Sequence, residues 1–409
     1  MRAFIYEHIS GGGLAEERWD PSFAAQGFAM LSSLSRCFDR AGHEVTITYD
    51  SRISELLLPH TSRRERVSGE SDWPQVVRAL SEDADVGVVI APEDEGILTN
   101  VLSKIRSHGL DVVGPETETA ALCSDKMKCS ELYSELSISS PMTVSSDVGR
   151  ILDKSSEVSF PAVLKPALSS GATYTSLVSD EKELGRVVER LEAKLCSSRV
   201  VLQEFVDGVD ASLSLLVNNG QMRRLSVNRQ YVTLGGTDST SGYHGGECPL
   251  THSAGEVAVS LAQRIVEALP GLRGYVGIDF VFNGKKAIPM DINSRLTVSA
   301  VGIERTHGPH ALADILKCTN GFLPEASSGE GFALFKEYQG IPKSTHTPEL
   351  DGKYASIMTF PGVASPPIPL PGMDGTVRPY VCGWGVSRDK ARDDLVALER
   401  RIDQKLGGV

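Results

Sequence analysis

Gly277-Ile278-Asp279-Phe280-Val281-Phe282, the turn Asn283-Gly284, and Ala287-Ile288-Pro289-Met290-Asp291-Ile292-Asn293 form the stretch whose reading decides the fold of this 409-residue chain. Asn-Gly between two apolar runs is the strongest short-range hairpin signal. Side chains alternate along a strand, so Asp291 and Asn293 share a face, and Asp279 lies a similar distance from the turn on the partner strand. Their oxygens converge. Acids are disfavoured in strands, and these lie among Ile, Phe and Met, so a merely solvated acidic face is the weaker reading. Oxygen donors on rigid strands suit Mg²⁺, which keeps several waters and completes its shell from nucleotide phosphates. Arg295 shares the face if the strand runs on, where it can stabilise charge on a transferred phosphoryl group.

Upstream, Ala162-Val163-Leu164-Lys165-Pro166 reads as a strand ending in a lysine, followed by the small-residue loop Ser169-Ser170-Gly171-Ala172-Thr173. The lysine is placed to neutralise phosphate, and free N–H groups of the loop to reach further oxygens. A lysine at a strand end is, taken alone, as readily a surface residue. Gln203-Glu204-Phe205-Val206-Asp207-Gly208-Val209-Asp210 follows the strand Val200-Val201-Leu202 and offers backbone for an adenine edge and an acid for ribose hydroxyls.

The first ~120 residues alternate strand and helix. Phe4-Ile5-Tyr6, Val45 to Tyr49, Val86 to Ile90 and Asp111-Val112-Val113 read as strands, separated by a glycine-rich loop Gly11-Gly12-Gly13 and helices over Phe23 to Ala41 and Ile97 to His108. That order predicts a parallel sheet with helices on its faces. A second unit is expected from near Ser124, with helices Lys126 to Leu136 and Glu181 to Leu195, completed by the alternating run Ser212 to Val217. The tail Pro361 to Pro379 is rich in Pro and Gly, and a charged helix from Lys390 to Lys405 closes the chain.

Composition narrows the class of function. The 41% hydrophobic and 23% charged fractions are those of an ordinary globular protein long enough for two or three domains. A net charge of -12 disfavours nucleic acid and anionic lipid as partners. Cys37, Cys123, Cys129, Cys196, Cys248, Cys318 and Cys382 show no metal-ligand or disulfide spacing, which fits a reduced compartment. No run approaches the roughly 20 apolar residues that span a bilayer. The expected location is the cytoplasm.

Taken in order, Asp125-Lys126, Lys165, Gln203-Glu204-Phe205-Val206 with Asp210, Asp279, and Asp291-Ile292-Asn293-Ser294-Arg295 resemble the ATP-grasp superfamily. The resemblance covers ~Ser124 to ~Gly321, and the residues before it resemble the α/β domain that precedes that fold. It implies an α/β chain: an N-terminal parallel-sheet, Rossmann-like pre-ATP-grasp domain (1–123), then a two-lobed α+β ATP-grasp fold with a small lobe (124–206) and a C-terminal lobe (207–409). ATP would lie between the lobes, with Lys126 and Lys165 on its phosphates, Glu204 and the Val206 backbone at adenine, flanked by Gln203 and Phe205, and Asp210 at the ribose. Asp279, Asp291 and Asn293 would hold two Mg²⁺ ions, Mn²⁺ being an alternative, and Arg295 would touch the transferred phosphoryl. Many members carry Glu and Pro where this chain has Asp291 and Ser294, so here a shorter acid faces the metals.

The implied reaction passes the γ-phosphoryl of ATP to a carboxylate, and an amine then attacks the acyl phosphate. Ala91 to Leu98, Ser124-Asp125-Lys126, Asn228-Arg229-Gln230, Tyr243-His244-Gly245-Gly246 and Asp291 to Thr297 are similar to the tyramine-glutamate ligase branch, which joins the γ-carboxylate of glutamate to tyramine in methanofuran-type cofactor synthesis. Within that resemblance Arg229 is the candidate to hold the amino-acid carboxylate, with a surface arginine as the plain alternative. Tyr243 to Gly246 is expected as a flexible loop with glycine hinges, or as a bland turn. Glu93, Asp94 and Glu95 are read as an ammonium site or a solvated acidic loop. The expected partners are small molecules, an amino acid and an amine, with a homodimer left open. The alternatives are another ATP-grasp ligase, including a bicarbonate-dependent one, and a non-catalytic ATP-binding protein.

Overall fold

The structure, a computed structural model, describes residues 1–69, 72–195, 199–325, 329–338, 348–367 and 378–406. Cys196 and residues 368–377 of the Pro/Gly-rich tail lie outside the described residues. The chain opens with β1 (Arg2–Glu7), α1 (Pro21–Arg40), β2 (Glu44–Asp50), β3 (Arg63–Val67), α2 (Trp73–Asp83), β4 (Val86–Ile90) and α3 (Ile97–Arg106). The strands form a sheet in the order β3-β2-β1-β4, parallel throughout. Asp20 caps α1 by accepting from the Ser22 and Phe23 amides, with Pro21 in the first turn, and the helix buries Phe28, Leu31, Leu34 and Phe38. One expectation changes here, and one strand is added that the sequence reading did not name. Asp111 to Val113 reduces to one parallel bridge between Val112 and Gly87, cut short by Gly114 and Pro115. The edge strand β3, Arg63-Arg64-Glu65-Arg66-Val67, is too charged to read as a strand, and charge is what keeps an exposed edge from pairing with another chain.

Next come α4 (Thr117–Ser124), α5 (Lys126–Glu135), β5 (Thr143–Asp147), β6 (Ala162–Pro166), β7 (Ser176–Val178), α6 (Glu181–Leu195) and β8 (Arg199–Glu204). A four-stranded antiparallel sheet, β5-β8-β6-β7, packs its apolar face on α6 through Leu184, Val187, Val188 and Leu191.

The remaining elements are β9 (Val209–Asn218), β10 (Gln221–Thr233), β11 (Gly242–Cys248), α7 (Gly255–Ala268), β12 (Gly274–Asn283), β13 (Lys286–Asn293), α8 (Ala300–His307), β14 (Phe332–Glu337), α9 (Pro348–Met358), β15 (Tyr380–Gly385) and α10 (Arg388–Leu406). Their strands make a seven-stranded sheet, β13-β12-β9-β10-β11-β14-β15. Ser212 to Val217 therefore does not complete the smaller unit as expected: it lies in β9 of the larger sheet. Leu213, Leu215 and Val217 bury against Leu132 and Tyr133 of α5 and Ala258, Ala262 and Ile265 of α7. Alternation foretells a strand but not its partner, because pairing is decided across space.

Glycines tie β11 into this sheet rather than loosening it. Tyr243 to Gly246 is strand, not a hinged loop: Gly246 pairs with Gln230 on one side and Phe335 on the other. A side chain at Gly245, where φ is +112°, would meet the Phe335 carbonyl, and one at Gly246 the Arg229 carbonyl. Close backbone approach explains both glycines. At the far end α10 buries Leu395, Leu398 and Ile402 in a cluster shared with Ala24, Ala25 and Phe28 of α1, which seats the first sheet against the third.

Candidate active site

The β12–β13 hairpin forms as its sequence implies, with Gly284 (φ +59°) and Lys285 as the loop between the paired residues Asn283 and Lys286. The register carries a bulge: Ile278 faces Ile292 and Phe280 faces Pro289, so Asp279 opposes both Met290 and Asp291. This extra residue brings the two acids onto one face. Asp279 Oδ2 accepts from Asn293 Nδ2 at 2.9 Å, and Oδ1 from Gln230 Nε2 at 2.9 Å. Lys165 Nζ lies 3.2 Å from Asp291 Oδ2.

The two carboxylates titrate apart. Burial, followed by the charge of Asp291, pushes Asp279 up to about 6. Burial acts on Asp291 in the same sense, but Lys165 and Lys126 overcome it and hold that carboxyl below the usual range. Among the described residues no cluster of three or more His, Cys, Asp and Glu that could hold a metal gathers anywhere, the hairpin contributing two acids and an asparagine. The hairpin set, two carboxylates and an amide oxygen, is a hard-oxygen donor set that fits Mg²⁺ better than a softer ion.

Both lysines stand where the sequence puts them. Asp125 caps α5, accepting from the Met127 and Lys128 amides, and Arg199 pairs with its other oxygen. Lys126 follows at the start of the helix, buried, and donates to the Ser169 carbonyl at 2.6 Å. Burial lowers its ammonium below the ordinary lysine range, with Asp291 acting against that. The Ser169 to Thr173 loop is held by protein groups: the Ser170 N–H, expected to be free for phosphate, donates to Asp94 Oδ2 at 3.0 Å.

A cleft of about 370 Å³ opens between the two antiparallel sheets, lined by both lysines, Asp279, Asp291, Asn293 and the run Gln203 to Val206 with Asp210. Gln203 donates to Thr143 Oγ1 at 2.9 Å, and the Glu204 carboxylate accepts from the Met142 and Ser159 amides at 3.4 and 3.3 Å. Glu204 thereby braces the segment, leaving the Phe205 and Val206 backbone along the cleft. Burial raises Asp210, with Arg229 opposing.

A second cavity of about 230 Å³ adjoins the first across Asp279, Asn293, Gln230 and Tyr243. Arg295 lines this one, with Ser22, Phe23 and Gln26 from α1 and Thr297 and Ser299 beyond the hairpin. The segment between β10 and β11 straps the sheets together: Gly235 O accepts from the Leu177 amide at 2.8 Å, and Ser241 Oγ donates to Thr175 O at 2.7 Å.

Arg229 departs from the expectation. It lines neither cavity, and its guanidinium stacks over Tyr231 at 5.4 Å. Gln230, on the opposite face of the strand, is the residue that reaches Asp279, and period-two alternation from Asn228 was the available signal. Glu93 is the other residue assigned differently. Neither solvated nor free, it is 4% exposed and paired with Arg295 Nη2 at 2.6 Å.

Residues 123–299 match an ATP-grasp domain, and residues 43–119 match a pre ATP-grasp 3 domain. The tyramine–L-glutamate ligase of Methanocaldococcus jannaschii is 24% identical over 78% of this chain and 90% of its own length. Among solved structures, a putative ATP-grasp superfamily protein from Archaeoglobus fulgidus superposes with a TM-score of 0.60 at 22% identity, over 85% of this chain and 95% of that one. An L-amino acid ligase from Bacillus licheniformis superposes with a TM-score of 0.66 at 16% identity, over 99% and 97%. No helix among the described residues is long and apolar enough to cross a membrane.

Proposed function

We propose, from the premise that this chain is an ATP-grasp ligase of the carboxylate-amine kind with a pre-ATP-grasp domain before it, that it joins the γ-carboxylate of glutamate to tyramine or a similar amine. The observation that carries the reading is the pair of adjoining cavities sharing Asp279 and Asn293, one lined by the lysines and the other by Arg295. A nucleotide in the first and an amino acid in the second would meet at the hairpin.

Lys126 and Lys165 neutralise the phosphates, the Phe205-Val206 backbone meets adenine, and Asp210 holds the ribose. Asp279, Asp291 and Asn293 would hold the divalent metal that the family uses, two Mg²⁺ ions on this reading, which would supply neutralisation of phosphate charge. A carboxylate oxygen of glutamate attacks the γ-phosphorus in line, the bond to the β–γ bridging oxygen breaks, and ADP leaves. Arg295 stabilises the charge on the transferred group. The amine nitrogen then attacks the acyl carbon and loses a proton, and inorganic phosphate departs with the acyl oxygen. No protein nucleophile is needed, which agrees with Cys123: it lines the cleft, yet burial holds its thiol far above the ordinary range.

Amino acids crossed with amines, followed by Mg²⁺-dependent ADP release and mass of the product, test this. Turnover is expected with glutamate plus tyramine. Dependence on bicarbonate, or turnover only with an unrelated pair, would overturn the substrate assignment.

A further inference from the structure

Glu93 sits at the C-terminal end of β4 in the first sheet, yet its carboxylate serves both of the other sheets. Its backbone N–H donates to Ser170 Oγ at 2.9 Å, and the same hydroxyl donates back to Glu93 Oε2 at 2.6 Å, closing a small ring between the two residues. Oε2 also accepts from Arg295 Nη2 at 2.6 Å. Asp94 adds the bond to the Ser170 amide, and Gly171 packs against the Phe23 ring. The loop is held in an uncommon shape by the following residues, Glu95 at φ +49° and Gly96 at φ +79°.

We infer that Glu93 is a positioning residue that aims the Arg295 guanidinium and holds the Ser169 to Gly171 loop over the phosphate end of the cleft. One anion shared by a cation on the hairpin strand's continuation and a hydroxyl in the loop couples the placement of the two. Arg295 has 13% of its side chain exposed and Glu93 5%, so removing the charge leaves a buried guanidinium without its anion, free to swing toward another acid. The neutral isostere keeps the shape and loses the aim. This rests on reading Arg295 as the cation that meets the phosphoryl group, and the experiment separates the two.

The full chain with Glu93→Gln, Glu93→Asp or Ser170→Ala is compared with wild type in two measurements. Hydrogen exchange of residues 168–175 with and without Mg²⁺ and a non-hydrolysable ATP analogue reads the loop. Glutamate- and tyramine-dependent ADP release reads turnover. Glu93→Gln is expected to keep its thermal transition, raise loop exchange about fivefold or more over a constant β1 and β2, and lower kcat about 10- to 100-fold with KM changed by less than about threefold. Glu93→Asp keeps the charge and recovers part of kcat. Ser170→Ala loosens the loop alone. Wild-type loop exchange and kcat in Glu93→Gln overturn the inference. So does a loss of kcat that follows a collapsed thermal transition while Ser170→Ala exchanges as wild type. Should wild type not turn over with glutamate and tyramine, the substrate reading falls, and the exchange measurement still decides Glu93.

Discussion

Lys165 Nζ lies 3.2 Å from Asp291 Oδ2, joining the end of a strand in the smaller antiparallel sheet to the acidic hairpin of the larger one. Both residues line the cleft between those sheets, with 9% of the lysine and 28% of the aspartate side chain exposed. Beside the hydrogen bonds of the β10–β11 segment, one of the contacts between the two antiparallel sheets is thus made by a proposed phosphate ligand and a proposed metal ligand.

Replacing that lysine should therefore harm ligand binding more than folding. Lys165→Met is expected to weaken Mg-ATP binding about tenfold or more and to lower kcat by about two orders of magnitude, through loss of a charge that neutralises the phosphates. Calorimetric titration with Mg-ATP and steady-state ADP release measure the two effects. A variant that binds Mg-ATP as wild type does would remove Lys165 from the phosphate site.

Asp279 gives a pH signature of opposite sign to a paired acid. Its folded pKa of about 6 lies above the ordinary 3.8, so the folded protein keeps a proton that the unfolded chain has released. Stability of the protein without ligand should fall as pH rises from about 4 to about 6 and level off above that, by about 2 kcal/mol from this group. Asp279→Asn should flatten that slope, raise the melting temperature at pH 7 and abolish turnover. Melting scans across that pH range without divalent metal check the sign.

Arg36 forks onto Glu304 through Nε and Nη2 at 2.8 and 2.7 Å, tying α1 of the first sheet to α8 beside the third. Glu304 has 4% of its side chain exposed and Arg36 27%. Glu304→Ala should cost about 2 kcal/mol, less than the roughly 3 to 5 typical of a fully buried pair, because Arg36 can turn to water. Burial opposes ionisation of Glu304, but Arg36 holds its carboxyl below the usual range. Its contribution is present above the unfolded pKa and is lost as pH falls through the folded one. Urea denaturation at pH 7 and at pH 4 tests both statements.

Gly245→Ala separates strand from hinge. The added methyl group would collide with the Phe335 carbonyl in a backbone with φ at +112°. A loss of stability of about 2 kcal/mol or more is expected. A hinge would instead change turnover with the melting temperature kept, so thermal melting read beside kcat decides.

The sequence by itself determined the elements whose signal is local. Asn283-Gly284 between apolar runs marks the hairpin, although its two-residue loop falls one residue on, at Gly284 and Lys285, and the apolar spacing from Phe23 marks α1, whose first turn at Pro21 is set by the Asp20 cap. Only the tertiary structure decided what depends on meeting across space. β9 joined the larger sheet although only residues 205–208 separate it from β8, because its apolar face matches α5 and α7. Gly245 and Gly246 turned out to be close contacts rather than hinges, and Arg229 yielded its place to Gln230 on the other face of the strand. Glu93 is the plainest case. An acid in a polar loop reads as solvated until the fold brings a buried arginine from 202 residues away to within 2.6 Å of it. A charge pair is a property of positions in space, and composition along the chain carries no record of it.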